Sequence, residues 1–255
     1  MQSVAFLESV LRAHKLDHTV APGPRAMLSE PSETGIPPLD AQLRGGLPRG
    51  ELSQIVGPRS SGRTTLMAVV LASATGRGEV VALVDALDRF DPASGAAAGI
   101  DLSHLLWIRG RACGPREMHT PVERAVKAMG LVLNAGNFGC AVLDLADVPT
   151  GAIRRLPFTT WLRLGRALEG SRTVGLVVGS DPIARSAGGR TIALRPLDAV
   201  GRWTGASDRD RLFQGLDLEA RVITKEAGGR RQEAEEIRLH IRVPDSSSCL
   251  LSSVS

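Results

Sequence analysis

Residues 57–65 read GPRSSGRTT, and this short stretch decides the fold class. It matches the phosphate-binding pattern G-x-x-x-x-G-K-[ST] at every fixed position except one, where Arg63 stands in place of lysine. An apolar run, ELSQIVG, precedes the stretch, and a segment of helical period, TTLMAVVLASATG, follows it. The order strand, glycine loop, helix is the context that a phosphate-binding loop requires.

Further apolar runs follow the loop, and segments of helical period separate them. The runs read VVALVD (80–85), LLWIRG (105–110), CAVLDL (140–145) and VGLVVGS (174–180). Runs of this kind are typical of parallel strands buried on both faces. Residues 217–244 contain two strand-like stretches around a charged turn with two glycines, which predicts an antiparallel hairpin. We therefore predict an α/β fold with a mostly parallel central sheet flanked by helices and an antiparallel C-terminal hairpin at one edge.

The composition is that of a globular protein with one main core. The chain has 255 residues, of which 43% are hydrophobic and 23% charged, and no apolar run reaches the roughly 18 residues of a membrane span. We expect an amphipathic helix and linker at 1–24, the core at 25–244 and a flexible tail at 245–255. The first residues lack the pattern of a secretory signal, so we expect a cytoplasmic location.

Charge and cysteine usage narrow the classes of partner and site. A net charge of +4 and a pI near 9.5 permit contact with nucleic acid but do not require it. Cys113, Cys140 and Cys249 are scattered and have no metal-binding spacing, so we interpret them as ordinary thiols.

The glycine loop predicts a site for ATP and magnesium. Backbone N–H groups of such a loop, together with a helix N-terminus, converge on phosphate oxygens. The Thr64 hydroxyl stands where a magnesium ligand belongs, and Asp144 at the end of CAVLDL is the candidate second ligand. The alternative is a tight turn that binds no ligand. The candidate phosphate-binding residues are Gly57, Pro58, Arg59, Ser60, Ser61, Gly62, Arg63, Thr64 and Thr65.

Arg63 affects hydrolysis more than binding. Lysine is a compact charge on a flexible stem, whereas a planar guanidinium is bulkier and imposes a forked hydrogen-bonding geometry. We expect binding to survive this replacement and hydrolysis to suffer.

A longer stretch, GGLPRGELSQIVGPRSSGRTTL (45–66), resembles the segment of bacterial RecA recombinases that reads GGLP, a strand and GPESSGKTTL. The block VVALVDALDRFDPASGAAAGIDLSHLLW (80–107) is similar to the recombinase segment in which a strand ends in DAEHALDP. The resemblance covers roughly residues 30–180 and implies a RecA-like core.

The departures from the recombinase pattern imply an eroded ATPase with no catalytic residues. Leu87 stands where the recombinases have the glutamate that activates water. Gly179 and Ser180 stand where they have Asn-Gln, whose glutamine senses the γ-phosphate. Asp88 is a substitute base only by a one-residue slip, and such a slip turns a strand residue to the other face.

The resemblance also indicates where single-stranded DNA would bind. The corresponding loops are DVPTGAIRR (147–155) and DPIARSAGGR (181–190), which supply Arg154, Arg155, Arg185 and Arg190 as candidate phosphate contacts. Solvation of these arginines at the surface is the alternative. No aromatic residues are interleaved to stack bases, which weakens the DNA interpretation.

A short, arginine-rich RecA-like chain with an eroded ATPase is similar to the ImuA family, the RecA-like accessory proteins of bacterial mutagenesis cassettes. The resemblance implies a role in translesion synthesis during the SOS response to DNA damage. It implies two partners, the RecA recombinase and ImuB, a Y-family polymerase homologue. The N-terminal helix would offer a partner the apolar face formed by Val4, Leu7, Val10 and Leu11, unless that helix folds back on its own core.

Two other functions remain open from the sequence. One is a DNA-dependent ATPase that acts as a small recombination mediator, which would show DNA-stimulated ATP hydrolysis. The other is a nucleotide-binding regulator or kinase unconnected with DNA, which would bind nucleotide tightly without a recombinase or polymerase partner.

Overall fold

The computed structural model describes residues 30–111, 119–183, 188–197, 202–204, 212–225, 231–242 and 251–253. Several predictions from the sequence lie outside these residues. They are the N-terminal helix with Val4, Leu7, Val10 and Leu11, the candidate DNA contact Arg185, and the thiols Cys113 and Cys249.

Helices and strands alternate along the first two thirds of the chain. The helices are α1 Pro37–Gln42, α2 Arg63–Gly76, α3 Pro92–Ala97, α4 His119–Ala135, α5 Thr150–Ile153 and α6 Phe158–Leu168, with a 3-10 turn at Leu102–His104. The strands are β1 Leu52–Val56, β2 Val81–Asp85, β3 Leu105–Arg109, β4 Cys140–Asp144, β5 Val174–Gly179, β6 Arg190–Pro196, β7 Arg202–Thr204, β8 Leu212–Lys225, β9 Arg231–Arg242 and β10 Leu251–Ser253.

The strands form one mixed sheet in the order β10-β9-β8-β6-β1-β5-β4-β2-β3, and β7 pairs with β8. The pairs from β6 to β3 are parallel, while β8, β9, β10 and β7 pair antiparallel. This confirms the predicted fold class, including the antiparallel C-terminal hairpin. Residues 251–253, which the sequence placed in a flexible tail, pair with β9 in the structure.

Two apolar layers hold helices against the sheet. In the first layer, α1 and α2 pack on the sheet, and the layer extends to β6, β8 and β9 through buried side chains such as Ile192, Leu218 and Leu239. In the second layer, α4, α5 and α6 cover β1, β5, β4 and β2. Burial of a Leu- or Val-sized side chain stabilises a fold by roughly 1.5–3 kcal/mol, so these layers account for the position of the helices.

A partly buried ion pair joins the strands at their amino ends. Arg49 lies just before β1, and its Nη2 donates to Glu79 Oε1 at 2.6 Å. Its Nη1 donates to the carbonyl oxygens of Arg172 at 2.9 Å and Gly139 at 3.4 Å. Those residues precede β5 and β4, so one guanidinium connects the starts of four neighbouring strands. We call this the Arg49 clamp.

Within the described residues, no helix has both the length and the apolar character needed to cross a membrane. Cys140 is a free thiol in β4, and burial raises its pKa to about 12.

Candidate nucleotide-binding site

The loop between β1 and α2 has the backbone geometry of a phosphate cradle. Ser60 has a φ of 59° and Gly62 a φ of 82°, so the chain passes twice through the left-handed region before the helix. Gly62 is the N-cap of α2 and no side chain caps this end, so the N–H groups of the first turn remain available to a ligand. The sequence places the rest of the predicted cradle, up to Thr65, along the same turn.

Two details of the loop fit this role. A Cβ at Gly57 would lie 2.5 Å from the carbonyl oxygen of Leu194, so only glycine fits there. Ser61 is fully buried, and its Oγ has no hydrogen-bond partner. A buried hydroxyl without a partner is costly, which is consistent with a loop shaped for more than a turn.

Arg63 points into the sheet instead of out over the loop. The residue is only 5% exposed. Its Nη1 donates to the carbonyl oxygen of Ala146 at 2.9 Å and to Ser180 Oγ at 3.3 Å. Ala146 follows β4 and Ser180 follows β5, so the guanidinium links the first turn of α2 to the ends of two strands. We call this the Arg63 strut.

Acidic residues lie close to the strut. Burial lowers the pKa of Arg63, and the nearby carboxylates of Asp147 and Asp144 oppose that shift. Burial is the main cause that raises the pKa of Asp144 to about 6. The Ala146 N–H and Arg63 act to lower it, and the charges of Asp85 and Asp147 act to raise it. The Ala146 N–H donates to Asp144 Oδ1 at 2.9 Å.

A cavity of about 210 Å³ lies beside the loop. It is smaller than the roughly 300–1,000 Å³ of most ligand pockets, so it suits phosphates and an ion more than a whole nucleotide. It brings together Thr64 and Asp144, the two residues that the sequence suggested as magnesium ligands. The lining residues are Thr64, Met67, Asp85, Leu87, Arg89, Phe90, Asp144, Ala146 and Asp147.

The donor types at this cavity fit magnesium bound with a nucleotide. Magnesium in such sites takes one or two protein oxygens together with phosphates and water. In the described part of the chain, no group of three or more His, Cys, Asp or Glu residues is arranged to hold a metal alone. Thr64 and Asp144 would therefore hold the ion only together with bound phosphates. When bound, magnesium would supply positive charge between the phosphates.

The residues at the positions that the recombinase resemblance links to hydrolysis make other contacts. Leu87 is only 6% exposed and packs in the second apolar layer while lining the cavity. Asp88 has a φ of 58° and accepts two hydrogen bonds from Arg109, at 2.8 Å each. Those bonds lower the pKa of Asp88. Both oxygens of the candidate substitute base are therefore engaged outside the cavity lining.

Sequence reasoning missed Asp85 and Asp147 at this site. Asp85 ends β2 directly opposite Asp144 in the parallel register, and its Oδ2 accepts from the N–H of Phe90 at 2.8 Å. Asp85 could have been identified from the sequence, because Asp85 and Asp144 both close apolar runs and parallel strands end at the same edge of a sheet. Asp147 had no such signal.

The first predicted DNA loop contains a short helix. Residues 150–153 form α5, and Val148 and Ile153 are buried in the second layer. Arg154 and Arg155 are exposed at its end. Arg190 begins β6, and its Nη1 donates to the Gly188 carbonyl oxygen at 3.1 Å. Contact of these arginines with DNA stays a prediction.

Comparison with known proteins agrees with the fold. Residues 28–132 match the RecA N-terminal domain. Over these residues, which are fewer than half of the chain, the sequence is RecA-like. The matched residues include the loop and Leu87, and they leave Asp144 and Ser180 outside.

Several similar proteins carry the name Protein RecA. Protein RecA of Crocosphaera subtropica is 45% identical over 80 residues, which is 31% of this chain and 23% of that relative. Protein RecA of Chlorobium limicola is 44% identical over 85 residues, 33% of this chain and 24% of the relative. Protein RecA of Arthrospira platensis is 44% identical over 80 residues, 31% of this chain and 22% of the relative. The chain thus spans less than a quarter of the length of these curated relatives.

Proposed function

We propose that this chain is a non-catalytic RecA-like adaptor in DNA damage-induced mutagenesis, of the ImuA kind. It would act in the bacterial cytoplasm during the SOS response, where it binds or modulates RecA filaments and an ImuB-type Y-family polymerase partner in translesion synthesis. The observation that carries the proposal is the Arg63 strut. A RecA-like core keeps the phosphate cradle but directs the cation at the lysine position into its own sheet.

Two further contacts support the absence of turnover. The Ser180 hydroxyl, at the position of the γ-phosphate sensor, accepts a hydrogen bond from Arg63. Leu87, at the position of the water-activating glutamate, packs in the apolar layer and has no group that could accept a proton. At the position of the sensor, Ser180 supports Arg63 by a hydrogen bond. At the position of the base, Leu87 packs in the apolar layer.

The cradle itself still suits a nucleotide. Backbone N–H groups of the loop would hold the phosphates, and Thr64 with Asp144 would hold magnesium, so ATP would act as a bound structural ligand. The proposed adaptor role also holds if the chain binds no nucleotide.

ATP hydrolysis by the purified chain, with magnesium and with or without single-stranded DNA, tests the loss of catalysis. We expect no turnover above that of a blank. DNA-stimulated turnover would overturn the proposal and establish the mediator ATPase instead.

The partners are tested separately with purified proteins. We expect the chain to bind RecA filaments on single-stranded DNA, the ImuB-type polymerase homologue, or both, in a sedimentation or biosensor assay. Failure to bind either protein would remove the adaptor role even if the chain proved catalytically silent.

One observation favours the DNA-dependent ATPase as a second candidate. Thr64 shares its cavity with three carboxylates, Asp85, Asp144 and Asp147, so the site is not short of acidic groups. Single substitutions of these aspartates to asparagine would identify the base if turnover were observed.

A further inference from the structure

One flank of α6 exposes an apolar stripe that continues into a positive charge. Phe158 is 51% exposed and Leu162 is 41% exposed. With exposed Arg166 they stand at positions i, i+4 and i+8, which lie in line on one side of a helix. The buried side of α6, with Trp161, holds the helix against the second layer, so the stripe is free to face a partner.

Four exposed arginines lie in the same segment as this stripe. Among the described residues, the side chains of Arg154, Arg155, Arg163 and Arg166 make no hydrogen bond or ion pair. Residues 150–169 contain a single acidic residue, Glu169. No described side chain therefore pairs with the positive charge of these four arginines.

The N-terminus of α6 adds to the positive potential. The helix starts after Pro157, no side chain caps it, and its first turn has no acidic residue. The N-terminal end of a helix carries a partial positive charge. Because Arg154 and Arg155 lie just before it, carboxylates of a partner would be favoured there.

The neighbouring surface, on β6, β8 and β9, carries charged side chains that pair with each other. In the described chain, that side of β6, β8 and β9 has no helix of the second layer over it, although the Glu219 side chain there is only 10% exposed. It carries opposite charges in contact: Arg195 Nη2 donates to Glu219 at 3.1 Å, and Arg221 pairs with Glu236. Residues 154–166 thus combine unpaired arginine side chains with the apolar stripe, whereas Arg195 and Arg221 on the neighbouring surface are paired.

We propose that the α6 flank, defined by Arg155, Phe158, Leu162 and Arg166, binds an acidic amphipathic segment of a protein partner. Eight residues of helix span about 12 Å, so the stripe matches two turns of a helical segment. Apolar side chains of the segment would cover Phe158 and Leu162, and its carboxylates would meet the arginines. Single-stranded DNA fits less well, because only one aromatic side chain is available for stacking.

This inference rests on the proposed adaptor function, for which it supplies the surface and the chemistry of the partner. The test uses the full chain and fluorescence anisotropy with three labelled probes. The first is a synthetic helical peptide of about 15 residues, roughly four turns, with leucines on one side and glutamates on the other. The second has the same composition in scrambled order, and the third is an oligothymidylate.

The surface variant is Arg155→Glu with Phe158→Ser. Its matched control is Arg124→Glu with Leu131→Ser, which makes the same changes at exposed positions of α4, where Leu131 is 72% exposed. Circular dichroism melting shows whether both variants remain folded. If the surface variant melts early, Arg166→Glu alone replaces it.

We expect the ordered peptide to bind more tightly than the scrambled one. The surface variant should weaken that binding at least about tenfold, and the control should leave it within about twofold, because most interface energy resides in few residues. No binding of the ordered peptide, or equal losses in both variants, would overturn the proposal. If the surface variant weakened the binding of oligothymidylate alone, the α6 flank would be a nucleic-acid surface.

Binding of RecA filaments and the ImuB-type polymerase to the same variants separates the two proposals. If the partners bind the wild type and the surface variant equally, the adaptor role stands and the α6 flank is not its surface. If the peptide binds at the flank but neither partner binds the wild type, the flank stands and the adaptor role fails.

Discussion

Arg63 has become a structural residue at a position where resemblance implies a phosphate ligand. Its buried guanidinium satisfies two acceptors at the ends of β4 and β5 and lies close to Asp144 and Asp147. A buried charge with partners is costly to disrupt from one side only, because the other groups stay buried and unsatisfied.

Arg63→Ala should therefore lower the free energy of unfolding by about 2–4 kcal/mol. Urea denaturation followed by circular dichroism measures this change. Arg59→Ala, at an exposed arginine of the same loop, is the matched control and should shift stability by less than about 0.5 kcal/mol. If the two variants had equal stability, Arg63 would not act as a strut.

Asp144 gives a pH-dependent prediction. Its pKa is raised to about 6 mainly by burial, so the folded protein holds a proton that the unfolded chain has released above about pH 4. This group therefore favours folding in acid, and its contribution is lost as the pH rises through about 6.

Asp144→Asn removes that titration. The stability of the variant relative to the wild type should increase between pH 4.5 and pH 7.5, by on the order of 2 kcal/mol. Thermal melting across this pH range measures the difference. A constant difference would show that Asp144 is ionised in the folded protein throughout.

At the scale of elements, the Arg49 clamp fixes the amino ends of four strands. Burial opposes ionisation of Glu79, but hydrogen bonds from Arg49 and Arg77 outweigh it and lower the pKa of Glu79. Glu79 thus stabilises the fold above its unfolded pKa, and this contribution is lost as the pH falls.

Arg49→Ala should cost about 1–3 kcal/mol, because it removes one donor from Glu79, which keeps Arg77, and one donor each from the carbonyl oxygens of Arg172 and Gly139. Chemical denaturation at pH 7 tests this. Arg172→Ala is the control, since it removes an exposed arginine side chain but keeps the carbonyl that Arg49 contacts. Equal losses in the two variants would contradict the clamp.

The elements could be predicted from the sequence where one local pattern governed them. Continuous apolar runs predicted β1 to β5, and the Gly-Gly turn predicted the pairing of β8 with β9. Strand β6 was missed because Thr191, Ala193 and Arg195 alternate with its buried Ile192 and Leu194. This pattern reflects a strand covered on one face only, and the loop-like residues before it hid the signal.

At the scale of the whole molecule, the two halves of the sheet differ in how their faces are covered. Its parallel half is covered on both faces, whereas β6, β8 and β9 bury apolar side chains only in the first layer. The ion pair of Arg195 with Glu219 lies on the other face, where Arg195 is exposed and Glu219 is buried. The exposed guanidinium limits the apolar area that this face presents to solvent.

Replacing that pair by Arg195→Val with Glu219→Val should cause concentration-dependent self-association, because it removes the exposed guanidinium and enlarges the apolar area of that face. Size-exclusion chromatography with light scattering measures the mass. Arg195→Gln with Glu219→Gln removes the charges but keeps the face polar, and it should remain in the state of the wild type. Association of both variants would indicate that charge, not polarity, prevents it.

The candidate site was only partly predictable for a related reason. The loop, Thr64 and Asp144 follow a pattern that is local in sequence, so they could be identified from it. The direction of the Arg63 side chain depends on Ala146 and Ser180, which lie 83 and 117 residues further along the chain. No local pattern reports which acceptors the fold will bring to a given side chain.

The Arg63 strut also bears on how such a protein would be regulated. A molecular switch needs two conformations that a ligand can tell apart, and a ligand with equal affinity for both shifts neither. Because Arg63 joins a helix to two strand ends, we expect the chain to keep one conformation with or without a bound nucleotide. We expect the cell to regulate it by how much is made and destroyed, as with a scaffold, and not by a cycle of binding and release.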